Sequence, residues 1–159
     1  MNKKNKNGQK NNLIAENRRA RHDYSLEQTF EAGVVLKGWE VKSLRAGKGN
    51  VAESYVIIKD GEIWLLGAQI TPLLSASTHI IASPKRTRKL LLNKKEIRLL
   101  IGATERKGYT LVPLRMYWHN RLVKLSFALA KGKKLHDKRQ SLKEKEWRRE
   151  ASQLKKVSR

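Results

Sequence analysis

The segment Ser54-Tyr55-Val56-Ile57-Ile58-Lys59-Asp60-Gly61-Glu62-Ile63-Trp64-Leu65-Leu66-Gly67 decides the fold. Two runs of β-branched, aromatic and aliphatic residues, 54–59 and 62–67, flank the dipeptide Asp60-Gly61. A two-residue type I′ turn needs positive φ at both central positions, and Asp-Gly supplies it, so the spacing predicts an antiparallel hairpin. Further along, 109–118 and 122–130 form a second pair around His119-Asn120-Arg121. There Val123, Leu125 and Phe127 alternate with Lys124, Ser126 and Ala128, which predicts one buried face and one open face. A fifth strand is expected over 27–36, with Gly33 as its bulge or bend.

Two helices interrupt the strands. Asn93 with Glu96 three residues on reads as a capping box, and Ile97, Leu100 and Ile101 recur at helical spacing until Gly108 ends the segment. A shorter helix is expected over 39–45, with Val41 and Leu44 turned inward and Gly47 beyond its end. The sum is a mainly β protein: an OB-like small antiparallel barrel, closed or partly open, with two or three short helices and basic disordered tails.

Composition bounds the function. The 159 residues allow one compact domain with tails, and 36 Lys+Arg against 14 Asp+Glu leave a formal charge of +22. A compact chain so charged repels itself, which points to a polyanionic partner: nucleic acid first, an anionic membrane surface second. With no cysteine, disulfides, thiolate metal sites and thiol nucleophiles are excluded, in keeping with a cytoplasmic protein. The basic first residues are followed by no apolar signal-peptide core, and runs such as 63–68 fall far short of a membrane span of roughly 20 residues.

Three regions are expected. Residues 1–12, almost wholly Asn, Lys, Gln and Gly, form a disordered extension; 13–130 hold the barrel; 131–159, with twelve Lys or Arg, form a basic tail. Within that tail Glu144 and Arg148 make a favourable helical pair, and Trp147, Ala151 and Leu154 share a narrow stripe. It reads as unfolded when free and helical when bound.

Catalytic patterns are weak. His22, His79, His119 and His136 stand at no metal-ligand spacing, and Gly47-Lys48-Gly49 lacks the rest of a phosphate loop and reads as a turn. Glu31, Glu40 and Glu53 are candidates for acid–base work, with ion pairing to nearby Lys and Arg as the plainer reading. Glu31, flanked by apolar Phe30 and Ala32, is also suited to accept hydrogen bonds from a base edge or a ribose 2′-OH.

Cations interleave with rings elsewhere. Asn17-Arg18-Arg19-Ala20-Arg21-His22-Asp23-Tyr24 combines three guanidiniums with two stackable rings, and Pro84-Lys85-Arg86-Thr87-Arg88-Lys89 repeats the theme in an expected loop. Leu90-Leu91-Leu92, which follows, reads as core. These features fit an RNA-binding protein; a ribosomal protein or RNA chaperone, an RNA-processing enzyme and a membrane-surface peptide are the rival classes.

Four stretches then become recognisable: residues 31–48 (EAGVVLKGWEVKSLRAGK), 86–92 (RTRKLLL), 108–114 (GYTLVPL) and 132–139 (GKKLHDKR). In this order, across roughly residues 14–149, the chain resembles the small protein B family. The resemblance implies a barrel that clasps the tRNA-like domain of transfer-messenger RNA (tmRNA, or SsrA RNA), stands in for its missing anticodon arm and delivers it to stalled ribosomes in trans-translation, without enzymatic activity or cofactors. By resemblance the RNA-binding positions are Asn17, Arg19, Tyr24, Glu31, Lys42, Tyr55, Leu91 and Lys124, to which the basic clusters add Arg18, Arg21, Arg45, Arg86 and Arg88. Lys133, Lys134, His136, Asp137, Lys138 and Arg139 match the segment that reaches the decoding centre, and Trp147 the part that follows the empty message channel. The implied partners are tmRNA, the small-subunit ribosomal RNA and elongation factor Tu with the charged tmRNA, the protein itself being a monomer.

Overall fold

The structure, a computed structural model, describes residues 12–74, 81–133 and 135–157. Most of the N-terminal extension therefore lies outside the described residues. Among the described residues, nine strands and four helices follow in the order β1 (Leu13–Glu16), α1 (Ala20–Asp23), β2 (Tyr24–Val34), α2 (Gly38–Arg45), β3 (Gly49–Asn50), β4 (Tyr55–Lys59), β5 (Glu62–Leu66), β6 (Gln69–Ile70), β7 (Arg88–Leu91), α3 (Lys94–Lys107), β8 (Thr110–His119), β9 (Leu122–Gly132) and α4 (Leu135–Val157).

The decisive hairpin forms as expected. Asp60 and Gly61 take φ of 52° and 70°, and β4 pairs with β5 from Tyr55↔Leu66 to Lys59↔Glu62. The second hairpin closes on Asn120, φ 55°, with His119 already paired to Leu122. Strands β8-β4-β5-β7-β2-β9 form a ring because β9 also pairs with β8, while β1 adds to β8 from outside. Ring closure removes exposed strand edges and surrounds a core of Phe30, Val56, Leu65, Leu90, Leu125 and Phe127, among others. Phe30 and Phe127 stack at 5.8 Å.

Two details of the strands differ from expectation. Gly33 is in register with both Lys124 and Leu91, and the irregularity in β2 lies between Leu26 and Gln28 instead. The second concerns β9, whose outer face is open at Leu122 and partly at Lys124 but closed beyond them: Ser126, Ala128 and Ala130 are buried as fully as the core residues between them. The strand lies between β2 and β8, and α1 lays Ala20 over Val112 and Ala130, so side chains this small are covered by their neighbours.

Helix α3 starts at Asn93, whose side chain accepts from the Glu96 N–H at 2.9 Å, and ends at Gly108 with φ 66°. In α2 the inward residues are Trp39, Glu40, Ser43 and Leu44, while Val41 is only half-buried. Gly47 and Lys48 donate back to Leu44 and Ser43, so the Gly-Lys-Gly sequence is a helix-ending turn. Residues 135–157, free of Gly and Pro and rich in Lys, Glu, Arg and Leu, form the helix α4. Its side chains from Leu142 to Glu150 are exposed.

Candidate nucleic-acid interface

The outer face of the barrel is built by cross-strand registry. Side chains alternate along a strand, so Tyr24 and Glu31, seven residues apart on β2, belong to opposite faces of a regular strand. The irregularity after Leu26 adds one residue and reverses the alternation: Tyr24 pairs with Gly132 and Glu31 with Ser126, positions that share a face on β9. A matching shift after Pro113, which has no N–H to give the ladder, aligns Arg115 with Ser126 and Tyr117 with Lys124.

Two rows result. One runs Leu91, Gly33, Lys124, Tyr117 across β7, β2, β9 and β8; the next runs Glu31, Ser126, Arg115. Leu91 is 54% exposed although Leu90 beside it is 2% exposed, because β7 alternates. The core reading thus holds for Leu90 and not for Leu91. Arg115 lies over the Tyr117 ring at 5.4 Å. Sequence reasoning missed this pair, although Arg115, Tyr117 and His119 alternating with Met116 and Trp118 carried the signal.

Burial first, and then the neighbouring Glu31 carboxylate, push the Tyr117 hydroxyl up to about 12; the hydroxyl meets no strict hydrogen-bond geometry, so Glu31 acts on it by proximity. The phenolate absorbance of Tyr117, isolated by difference against Tyr117→Phe, is expected to titrate with a midpoint near 12. Because the folded value exceeds the ordinary 10.0, the stability it contributes is complete below pH 10 and is lost as pH rises through about 12.

A second feature lies beside α1. Asn17, Arg19, Tyr24, Glu53, Ser54 and Tyr55 line a cleft of about 280 Å³. Asn17 is 9% exposed; its amide donates to the Pro113 carbonyl at 3.0 Å, and its side-chain oxygen is buried without a partner. Arg18 projects almost freely, 3.9 Å from Glu16, and Arg19 and Arg21 are exposed on the same turn. Tyr55 is exposed and Tyr24 half-buried, so two rings flank the cleft mouth.

The remaining candidates divide. Lys42 and Arg45 are exposed on α2. Arg88 is sealed from solvent and so is not placed to meet RNA in this fold: it is 0% exposed, with Nε on Glu40 at 2.5 Å and its other nitrogens on the Ala68 and Pro84 carbonyls at 2.7 and 3.1 Å. Arg86 is partly diverted as well, pairing with the other Glu40 oxygen at 2.5 Å. The expected loop is in fact the entry to β7, and a fully buried carboxylate captures both guanidiniums before any solvent anion can. The ion-pair reading therefore describes Glu40.

Burial acts to raise the Glu40 carboxyl, but donation from Arg86, the Lys37 N–H and Arg88 outweighs it and leaves the group below the usual 4.5. Its stabilising contribution is present above pH 4.5 and lost as pH falls through the lowered folded value. Arg88→Ala is expected to lower unfolding free energy by about 3–5 kcal/mol in denaturant melts, since it strips a buried carboxylate of one partner.

In the tail, Lys133 anchors the start: its N–H donates to the Asp23 carbonyl and its Nζ to the Arg21 carbonyl, both at 3.0 Å. Arg139 and Trp147 are exposed on α4, the latter by 70%. Lys134 and the side chains of His136, Asp137 and Lys138 lie outside the described residues. Among the described residues no group of three metal-ligating side chains comes together, and no helix is long and apolar enough to cross a membrane.

Fold and face together define a class: a small antiparallel barrel presenting a cationic, ring-bearing sheet and an outlying basic helix. Residues 14–157 match the SmpB protein family. The chain is 61% identical over 143 residues, 90% of each sequence, to the SsrA-binding protein of Pseudoalteromonas translucida (strain TAC 125). It is also similar, at 50% identity and a TM-score of 0.61, to a chain from a solved structure described as "tmRNA-SmpB: a journey to the center of the bacterial ribosome", over 76% of this chain and 84% of that one. The chain belongs to the SmpB family.

Proposed function

We propose that the protein binds the tRNA-like domain of tmRNA through its outer sheet face and the α1 cleft, and delivers that RNA to stalled ribosomes in trans-translation. The observation that carries this reading is the β2 irregularity, which brings Tyr24 to the side of the barrel where the pairing at Gly33 already sets Glu31, Leu91 and Lys124. Rings there and at the cleft can stack on unpaired bases, Arg18, Arg19, Arg21 and Lys124 can neutralise phosphates, and Glu31 can accept from a base edge or a 2′-OH. The SsrA-binding relative and the tmRNA–SmpB structure support the choice of RNA.

The tail completes the mechanism. Helix α4 has exposed side chains over its described middle, so it lacks the tertiary packing of an apolar face from which most helical stability in proteins comes. Small-subunit ribosomal RNA supplies the phosphates that order it, with Lys133, Lys134, His136, Asp137, Lys138 and Arg139 at the decoding centre and Trp147 along the vacant message channel. Elongation factor Tu accompanies the charged tmRNA, and the protein acts as a cytoplasmic monomer that performs no catalysis of its own.

Purifying the tagged protein from its host in moderate salt and sequencing the bound RNA tests this. One dominant RNA of tmRNA type is expected. Recovery of bulk ribosomal and transfer RNA in proportion to abundance points instead to a ribosomal protein or general chaperone.

A further inference from the structure

The buried carboxylate of Glu40 has no part in RNA contact, yet it ties together two elements that do. It accepts from the Lys37 N–H at 2.7 Å, from Arg86 at 2.5 Å and from Arg88 at 2.5 Å, and is itself 0% exposed. Glu40 lies in the first turn of α2, which carries exposed Lys42 and Arg45. Arg88 opens β7, whose last residue is exposed Leu91. Arg86 also reaches the Val35 carbonyl at 3.4 Å, and the Val35 N–H donates to Lys89 at 3.0 Å, so the linker between β2 and α2 is pinned to the same strand.

We propose that Glu40 is a positioning residue for RNA recognition: by holding Lys37, Arg86 and Arg88 together it fixes α2, with Lys42 and Arg45, against the strand that presents Leu91. This rests on the RNA-binding reading above. A rigid, prearranged face loses less freedom on binding than one whose two parts move separately. One carboxylate shared between two guanidiniums suits this role, because moving α2 away from β7 leaves a buried charge without its partner, which is costly.

The signs of the expected effects separate this role from simple electrostatics. Glu40→Gln makes the chain more positive by one unit, which by charge alone tightens binding to a polyanion. Misplacement of α2 weakens it. A transcript of the tRNA-like domain of tmRNA is the probe, with wild type and Lys124→Ala as controls for the underlying reading. Folded Glu40→Gln is expected to bind about tenfold more weakly than wild type with an unchanged slope of log K against log salt, since no phosphate contact is removed. The chain has no cysteine, so spin labels at Arg45→Cys and Leu91→Cys report the α2–β7 separation without background. That distance distribution is expected to be narrow with Glu40 present and to broaden in Glu40→Gln.

Wild-type or tighter binding by the folded variant, a changed salt slope, or an unbroadened distance distribution overturns the proposal. If Glu40→Gln does not fold, Arg86→Gln, which keeps the Glu40–Arg88 bond, is read by the distance and affinity criteria together. Failure of the wild type itself to bind the transcript, or Lys124→Ala binding as wild type does, counts against the RNA face and not against the clamp.

Discussion

A chain ended after Lys134 is expected to hold the tRNA-like domain of tmRNA within about threefold of full-length affinity, the residual loss coming from screened long-range attraction. The same chain is expected to lose tagging on stalled ribosomes by more than about 100-fold, because the segment proposed to act at the decoding centre is gone. The cut is set by the structure. Strand β9 continues to Gly132, paired to Tyr24, and Lys133 closes onto the Asp23 and Arg21 carbonyls. A cut after Ala130 therefore disturbs the edge of the proposed RNA face as well as the tail, and mixes two effects. Filter binding and a reconstituted tagging reaction on a message lacking a stop codon measure the two quantities separately. Tagging that persists at the full-length rate removes the tail from the mechanism.

The second large effect is on affinity itself. Lys124→Ala is expected to weaken binding about tenfold and to lower the salt slope by about 0.9, as for the loss of one phosphate contact. Glu31→Ala is expected to weaken binding by about 1.5–3 kcal/mol with the slope unchanged, as for a charged hydrogen-bond acceptor. The sign at Glu31 is the informative part. Were the face a mere cationic patch, removing a carboxylate from it would strengthen binding; a weaker complex requires a specific acceptor. Glu31 and the half-buried Lys124 lie on the outer face, so both variants leave the core intact. Glu31→Ala also removes one of the influences that raise the Tyr117 hydroxyl, and a downward move of that titration confirms that the rows are in register.

Much of the barrel was legible because its signals are local. The Asp60-Gly61 turn, the Asn93 cap and the inward side of Val123, Leu125 and Phe127 each depend on a few neighbouring residues and form as read, whereas the burial of Ser126 and Ala128 on the other side depends on the elements packed around β9. The basic clusters were legible as charge but not as contacts. Arg18, Arg19 and Arg21 are exposed, whereas Arg88, in a cluster of similar composition, is sealed against Glu40, 48 residues away. Leu91 needed the pairing of β7 with Gly33 before its outward direction could be known. Arg115 and Tyr117 needed the shift at Pro113.

By itself, then, the order of residues marked the five longer strands and the helices α2 and α3, pointed to a polyanionic partner and, through four extended motifs, pointed to the family. Only the folded chain decided which cations face solvent and which side chains share a surface. The physical reason is that strand alternation is a local property, while its phase across a sheet is not: one extra residue after Leu26 turns Tyr24 to the side of Glu31, and one buried carboxylate withdraws Arg88 from solvent altogether.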